Sequence, residues 1–200
     1  MARTRRPAAG RGARIRIIGG AWRRRWLPVP AVGGLRPTAD ALRETVFNWL
    51  QPRLPGARVL DLYAGTGALG LEAASRGAAA VWLVERDARA AAQLEANCET
   101  LGATQVRVRR DDVGRFLAGP PPEAPFDLVF LDPPFEKGRV APALEALRAG
   151  GWLRPDARIY VELETTAALD FLDAGGWRIE RERRSGQARG LLLADATTAD

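Results

Sequence analysis

Between residues 58 and 163 the chain alternates short apolar runs with amphipathic stretches, and this rhythm restricts the fold more than any other feature. The runs are RVLDLY (58–63), AVWLVE (80–85), QVRVRR (105–110), FDLVFL (126–131) and RIYVEL (158–163). Most are nearly continuous in apolar residues, as strands covered on both faces are. Helical patterning fills roughly 67–77, 87–101 and 138–149 between them, with a short turn of helix at 113–118. Strand and helix in alternation predict an α/β fold whose parallel sheet carries helices on both sides. After residue 163 the rhythm changes. GWRIERERR (176–184) and GLLLAD (190–195), joined across SGQA, predict a hairpin that closes one edge with an antiparallel last strand. No internal repeat is present.

Upstream of this region the chain is strongly basic. Residues 1–39 hold ten arginines and no acidic residue. The other 161 residues hold 20 basic and 24 acidic groups, so a charge of +10 sits on a body of −4, for +6 in all. Such a separation predicts a polyanionic partner met by one segment of the protein. Residues 1–13 mix Arg, Pro, Ala and Gly without period and read as a disordered basic tail. RIRII, a Gly19-Gly20 turn and AWRRRWLPV then predict a β-hairpin with Arg14, Arg16, Arg23, Arg24 and Arg25 available to phosphates. Pro37 and Thr38 signal a helix start, and Leu42, Val46, Phe47 and Leu50 form its apolar stripe. The expected organisation is a tail (1–13), a basic RNA-binding hairpin extension (14–36) and one catalytic domain (37–200).

The absence of histidine excludes Ser-His and Cys-His nucleophiles and every His-ligated metal, so no metal is expected. One cysteine, Cys98, permits no internal disulfide and points to a reducing cytoplasm. No apolar run approaches the ~18 residues of a membrane span, and no secretory h-region follows the N-terminal charge.

In an open parallel sheet, ligands bind beyond the carboxyl ends of the strands. LDLYAGTGALG (60–70) ends the first run in a G-x-G-x-x-G loop of Gly65, Gly67 and Gly70, with Asp61 unexpectedly inside the strand. Glu85 ends the second run twenty residues after Gly65, where an acid can accept from ribose hydroxyls. Asp111 and Asp112 follow the third, where a carboxylate can accept from an adenine amine. Singly, each has a plain structural reading: a glycine turn, a solvated strand end, a helix cap. Together they describe an adenosine site, without separating NAD from S-adenosylmethionine.

The fourth strand end separates them. FDLVFL runs into Asp132-Pro133-Pro134-Phe135. Two prolines hold the backbone extended and remove two amide donors. What remains are acceptors, the Asp132 carboxylate and the Pro133 carbonyl, beside the flat face of Phe135. Acceptors without donors suit an NH2 group, whose hydrogens they hold while its lone pair turns toward an electrophile. The aromatic ring stacks on the base that carries the amine. This is amino-group methylation by S-adenosylmethionine. Asp61 then fits as a partner for the methionine ammonium, which a dinucleotide lacks.

RIIGGAWRRRWLPVP, GLRPTADALRETVFNWL, LDLYAGTGALGLEAASRGA, VERD and FLDPPF together resemble the RsmD-type 16S ribosomal RNA guanine-N2 methyltransferases. The likeness spans about residues 14–190, with Gly186-Gln187 in the closing hairpin. It implies a Rossmann-like class I methyltransferase with a seven-stranded, mostly parallel sheet. The implied substrate is a guanine of 16S ribosomal RNA in the assembling 30S subunit, met by a monomer. By position it implies Asp61, Tyr63, Ala64, Gly65, Gly67, Glu85, Arg86, Asp112 and Val113 at the cofactor. Asp132 to Phe135 become the catalytic motif, with Arg36 and Thr38 near the RNA. Two departures bear on the RNA side: Ala41 stands where relatives commonly carry arginine, and Gly190 to Leu193 lack a tyrosine. An adenine-N6 DNA methyltransferase would use the same acceptors, but no segment is long enough for a target-recognition domain. A degenerate RNA-binding module conflicts with the intact Gly65, Gly67, Glu85 and Asp132. A nicotinamide oxidoreductase leaves the D-P-P-F motif without a purpose.

Overall fold

The structure, a computed structural model, describes residues 13–30, 40–134 and 138–197. The tail up to residue 12, together with Arg36, Pro37, Thr38 and Phe135, lies outside the described residues. A short antiparallel pair, β1 (Arg14–Arg16) and β2 (Trp26–Pro28), precedes helix α1 (Asp40–Leu50). Alternation then runs through β3 (Arg58–Leu62), α2 (Gly70–Ser75), β4 (Ala80–Glu85), α3 (Ala88–Leu101), β5 (Val106–Arg110) and α4 (Val113–Leu117). It continues with β6 (Phe126–Leu131), α5 (Val140–Ala149), β7 (Leu153–Glu164), α6 (Asp170–Ala174), β8 (Trp177–Ser185) and β9 (Ala188–Asp195). Four of the five sequence runs match strands to within one residue at each end. β7 begins earlier than expected, at Leu153. Helix α6 went unread because five residues are too few to display a helical period.

Seven strands form one sheet in the order β5-β4-β3-β6-β7-β9-β8. Strands β5 to β7 are parallel, and β9 inserts antiparallel between β7 and β8. The chain leaves β3 toward β4 on one side and later returns as β6 on the other, which places the switch-point crevice at the carboxyl ends of β3 and β6. One face of the sheet, carrying Val59, Leu83, Phe130, Tyr160 and Leu192, packs under α1, α2 and α3 through Phe47, Leu71 and Leu94. The other, carrying Leu60, Val84, Leu131, Val161 and Leu191, packs under α4, α5 and α6 through Val113, Leu144 and Leu172. The predicted stripe of α1, Leu42, Val46, Phe47 and Leu50, is buried throughout. Helix α3 is bounded as its sequence dictates. Asp87 accepts from the Arg89 and Ala90 amides at its start, and Gly102 closes it at φ 64°.

The N-terminal hairpin is shorter than expected. Only three residues pair on each strand, and Ala21 to Arg24 form a turn instead of returning as strand. The reason lies in α2. The amides of Ile18 and Gly19 donate to the Glu72 carboxylate, each at 2.7 Å, and the Trp22 amide donates to Ser75 Oγ at 2.9 Å. Amides engaged this way are unavailable to a ladder. Ile15, Ile17 and Leu27 enter the same core as Phe47 and Leu71, so the hairpin is built onto the sheet domain. Among the described residues no helix is long and apolar enough to cross a membrane, and no acidic or cysteine cluster is placed to hold a metal ion.

Candidate active site

The glycine loop opens with backbone in unusual regions. Tyr63 follows β3 at φ 62°, and Gly65 and Gly67 adopt φ 52° and 77°. Left-handed backbone at a non-glycine residue costs about 1–2 kcal/mol, and such strain gathers at functional loops. Gly67 cannot be replaced cheaply, since a Cβ there would meet Leu94 Cδ2 at 2.5 Å. Gly70 begins α2, where a Cβ would meet Leu83 Cδ2 at 2.2 Å. The third glycine thus lets helix and strand touch. Beneath it, Asp61 is buried and its Oδ2 accepts the Gly70 amide at 2.8 Å. Burial pushes the Asp61 carboxyl up to about 7; the Gly70 hydrogen bond opposes that rise and the Glu85 charge adds to it.

Glu85, also buried, ties two pieces of backbone together. Its Oε2 accepts from the Gly65 amide at 2.9 Å and its Oε1 from the Asp87 amide at 2.7 Å. A carboxylate has about four acceptor sites, so two remain open to a hydroxyl-bearing ligand. Asp112 takes up the capping role: its Oδ1 accepts from the Gly114 and Arg115 amides at 3.0 and 3.4 Å. Its other oxygen lies 4.0 Å from Arg139. Arg139 also stands near the half-buried Tyr63, whose phenol is raised by burial against the pull of that guanidinium. Asp111 is buried and spent within the protein, on Arg115, Arg109 and the Asp112 amide. Ala64 and Val113 are buried beside these groups and Arg86 is exposed.

Asp132 leaves β6 directly beside this loop. Asp61 and Leu62 on β3 are register partners of Phe130 and Leu131 on β6, so the glycine loop and D-P-P emerge from adjacent strands at one level. Asp132 is partly exposed, Pro133 buried and Pro134 exposed. On the next strand, Tyr160 and Glu162 are both buried, and the Tyr160 hydroxyl donates to Glu162 Oε2 at 3.2 Å. Burial raises the Tyr160 phenol strongly, and the Glu162 and Asp132 charges raise it further. Gly190 pairs with Glu162 across β7 and β9, and a Cβ on it would meet Tyr160 Oη at 2.7 Å. The last strand therefore carries glycine where a ring from the neighbouring strand occupies the space. Carboxylates consequently line the carboxyl ends of four neighbouring strands, β4, β3, β6 and β7, as Glu85, Asp61, Asp132 and Glu162.

Sequence reasoning missed Arg139, Glu162 and Tyr160. RIYVEL displayed an acid at a strand end, like VWLVE, and that was the available signal for Glu162. Arg139 had none, because its place beside Tyr63 and Asp112 depends on tertiary folding. The structure gathers the expected cofactor residues at one crevice but sets the arginine run elsewhere. Arg14 and Arg16 are exposed on the hairpin. Arg23, Arg24 and Arg25 lie where α2 and α3 end, at the amino edge of the sheet, with Arg25 reaching the Thr100 carbonyl at 3.4 Å.

The charge of the crevice tests the two adenosine cofactors. A dinucleotide's pyrophosphate would seek the helix N-terminal amide, yet Asp61 has taken the Gly70 amide and stands there with Glu85. A buried pair of carboxylates opposes a pyrophosphate and suits a ligand bearing ammonium and sulfonium charges. The residues fit S-adenosylmethionine. Comparison with known proteins agrees. The family described as "Conserved hypothetical protein 95" matches residues 15–193. Ribosomal RNA small subunit methyltransferase D of Escherichia coli K12 is 46% identical over 182 residues, covering 91% of this chain and 90% of its own length. The protein of the same name from Haemophilus influenzae is 42% identical over 174 residues, 86% of this chain and 89% of its own length. The solved structure of Escherichia coli yhhF superposes with a TM-score of 0.81 at 45% identity, over 90% of this chain and 97% of that one.

Proposed function

The chain belongs to the RsmD-type methyltransferase family, and on that premise we propose that it methylates the exocyclic N2 amine of a guanine in small-subunit ribosomal RNA. S-adenosylmethionine is the methyl donor, and the substrate is the assembling small subunit, met by a monomer. One observation carries the reading. The acceptor-only motif at Asp132 and Pro133 leaves the sheet on the strand next to the cofactor loop, in register with it.

The bound donor supplies an electrophilic methyl group on a sulfonium; the chain does the rest. Asp61 and Glu85 hold the donor's positive and hydroxyl-bearing parts, with Tyr63 and Arg139 at the mouth. Asp132 and the Pro133 carbonyl accept the two hydrogens of the target amine, which turns its lone pair out of conjugation and toward the methyl. Acceptors fixed in place before reaction spare the reorganisation that water would need. After transfer the extra proton passes to Asp132 or to water, so no histidine is required. Guanine and adenine both present such an amine. The resemblance of residues 14–190 to guanine-N2 methyltransferases favours guanine.

The test uses small subunits from a strain lacking the enzyme, incubated with the protein and labelled donor, with the product nucleoside identified by mass spectrometry. N2-methylguanosine is expected. N6-methyladenosine, or NAD binding without S-adenosylmethionine binding by calorimetry, would overturn the reading.

A further inference from the structure

We propose that Arg181 and Arg183 on β8 bind phosphates of the RNA strand that flanks the methylated nucleotide. This rests on the reading above that the substrate is small-subunit RNA. Strand order makes the first argument. The cofactor residues occupy β4 and β3, so within the sheet a target presented to Asp132 on β6 is flanked on its other side by β7, β9 and β8. That half of the carboxyl edge carries Glu162 and Glu164, which repel a polyanion unless cations stand close by.

Register supplies the cations. Arg183, Gly190 and Glu162 are successive partners across β8, β9 and β7, and Arg181, Leu192, Tyr160 and Phe130 form the next row. Cross-strand partners share a face, so both arginines stand on the face that carries Phe130 and Tyr160. At about 4.8 Å per strand, β8 lies ~14 Å from β6, within reach of neighbouring nucleotides. Between Arg183 and Glu162, Gly190 carries no side chain of its own, and the Tyr160 ring fills that place.

The pairing pattern separates these two arginines from the rest of the strand. Glu182, on the opposite face, is held by Arg184 at 2.9 Å and Arg189 at 3.0 Å. Lower on the strand, Glu180 takes Arg158 at 2.6 Å and Arg178 at 3.6 Å. Arg181 and Arg183 are exposed, and among the described residues neither has an ion-pair or hydrogen-bond partner. Two of the four arginines on β8 are thus committed to internal pairs, and the other two are exposed on the Phe130–Tyr160 face, with Arg183 toward the carboxyl end of the strand.

The experiment compares Arg181→Ala/Arg183→Ala with Arg178→Ala/Arg184→Ala and wild type, on small subunits lacking the modification. Two lost phosphate contacts should reduce the slope of log affinity against log salt by about 1.4, or about twenty-five-fold in affinity at 0.1 M salt. Affinity for S-adenosylmethionine and the melting temperature should not change, which shows that the variant is folded. The control pair should stay within about twofold of wild type. Wild-type KM and salt slope in the Arg181/Arg183 variant would overturn the proposal while leaving the methyltransferase reading intact. An equal loss in the control would overturn it too, since the effect would then be diffuse charge. No turnover by wild type on any subunit would remove the functional reading, and this proposal with it.

Discussion

The carboxylate of Asp61 accepts the Gly70 amide at 2.8 Å, and a Cβ built on Gly70 would fall 2.8 Å from the same oxygen. Strand β3 and helix α2 are locked together through these two residues. The lock holds a buried acid under the start of the helix, where a phosphate-binding fold would offer a free amide.

Gly70→Ala tests the lock. The new methyl meets Leu83 at 2.2 Å, so the helix must move away from the sheet. Overpacking of this kind costs about 1–3 kcal/mol. A lowered melting temperature and at least tenfold weaker S-adenosylmethionine binding are expected. A variant with wild-type donor affinity would show that the loop tolerates the shift.

Asp61 predicts a pH dependence. Its carboxyl titrates near 7 in the folded protein and at 3.8 in an unfolded chain. Between those values the folded state keeps a proton that the unfolded state has released. The free energy of unfolding should therefore fall as pH rises from about 4 to 7 and then level off. The donor's ammonium favours the ionised form, so binding below pH 7 should release a proton, and affinity should rise with pH up to about 7. Calorimetry in buffers of different ionisation enthalpy measures that proton. In Asp61→Asn both the proton and the slope should vanish.

Asp132→Ala should lower turnover on small subunits about a hundredfold or more, equivalent to ~3 kcal/mol of barrier, by removing one acceptor from the amine. Donor affinity should stay within a few-fold, since Asp61 and Glu85 are untouched. Single-turnover rates with saturating subunits separate the two effects. Near-normal turnover would refute the lone-pair argument.

Much of this site was legible because strand ends are marked in the sequence. VWLVE and FDLVFLDPP each close an apolar run on a polar group, and the parallel sheet delivers those groups to one edge. Asp112 shows the limit. The same residue reads as a cap or as an adenine contact, and its hydrogen bonds to Gly114 and Arg115 realise the cap. The path of the hairpin was not legible, because it depends on Glu72. A glutamate inside an alanine-rich helical stretch looks solvated, yet this one is fully buried beneath a loop more than fifty residues away in sequence.

Glu72→Ala should accordingly destabilise the protein by about 3–5 kcal/mol. It leaves the Ile18 and Gly19 amides without an acceptor and Arg76 without the partner it meets at 2.7 Å. Because α2 starts at the glycine loop, donor affinity should fall as well. Hydrogen exchange at residues 15–27 should rise first. Unchanged exchange there would mean that Ile15, Ile17 and Leu27 hold the hairpin without the glutamate.

Replacing Arg23, Arg24 and Arg25 by Ala separates the hairpin's charge from its anchoring. The three project where α2 and α3 end, and α3 alone spans fourteen residues, about 21 Å at 1.5 Å per residue. They stand at the opposite edge of the sheet from Asp132, so a phosphate they bind belongs to a distant part of the substrate. Subunit affinity should fall and its salt slope should drop by about 2, at roughly 0.7 per phosphate contact. Turnover at saturating subunits and donor affinity should hold. Stability should hold too, since all three are exposed and alanine keeps the Cβ that Arg24 already carries at φ 69°. Equal affinity for variant and wild type at low and high salt would make the run a solvated turn. RNA recognition would then rest on the carboxyl edge, where Arg181 and Arg183 stand exposed on β8.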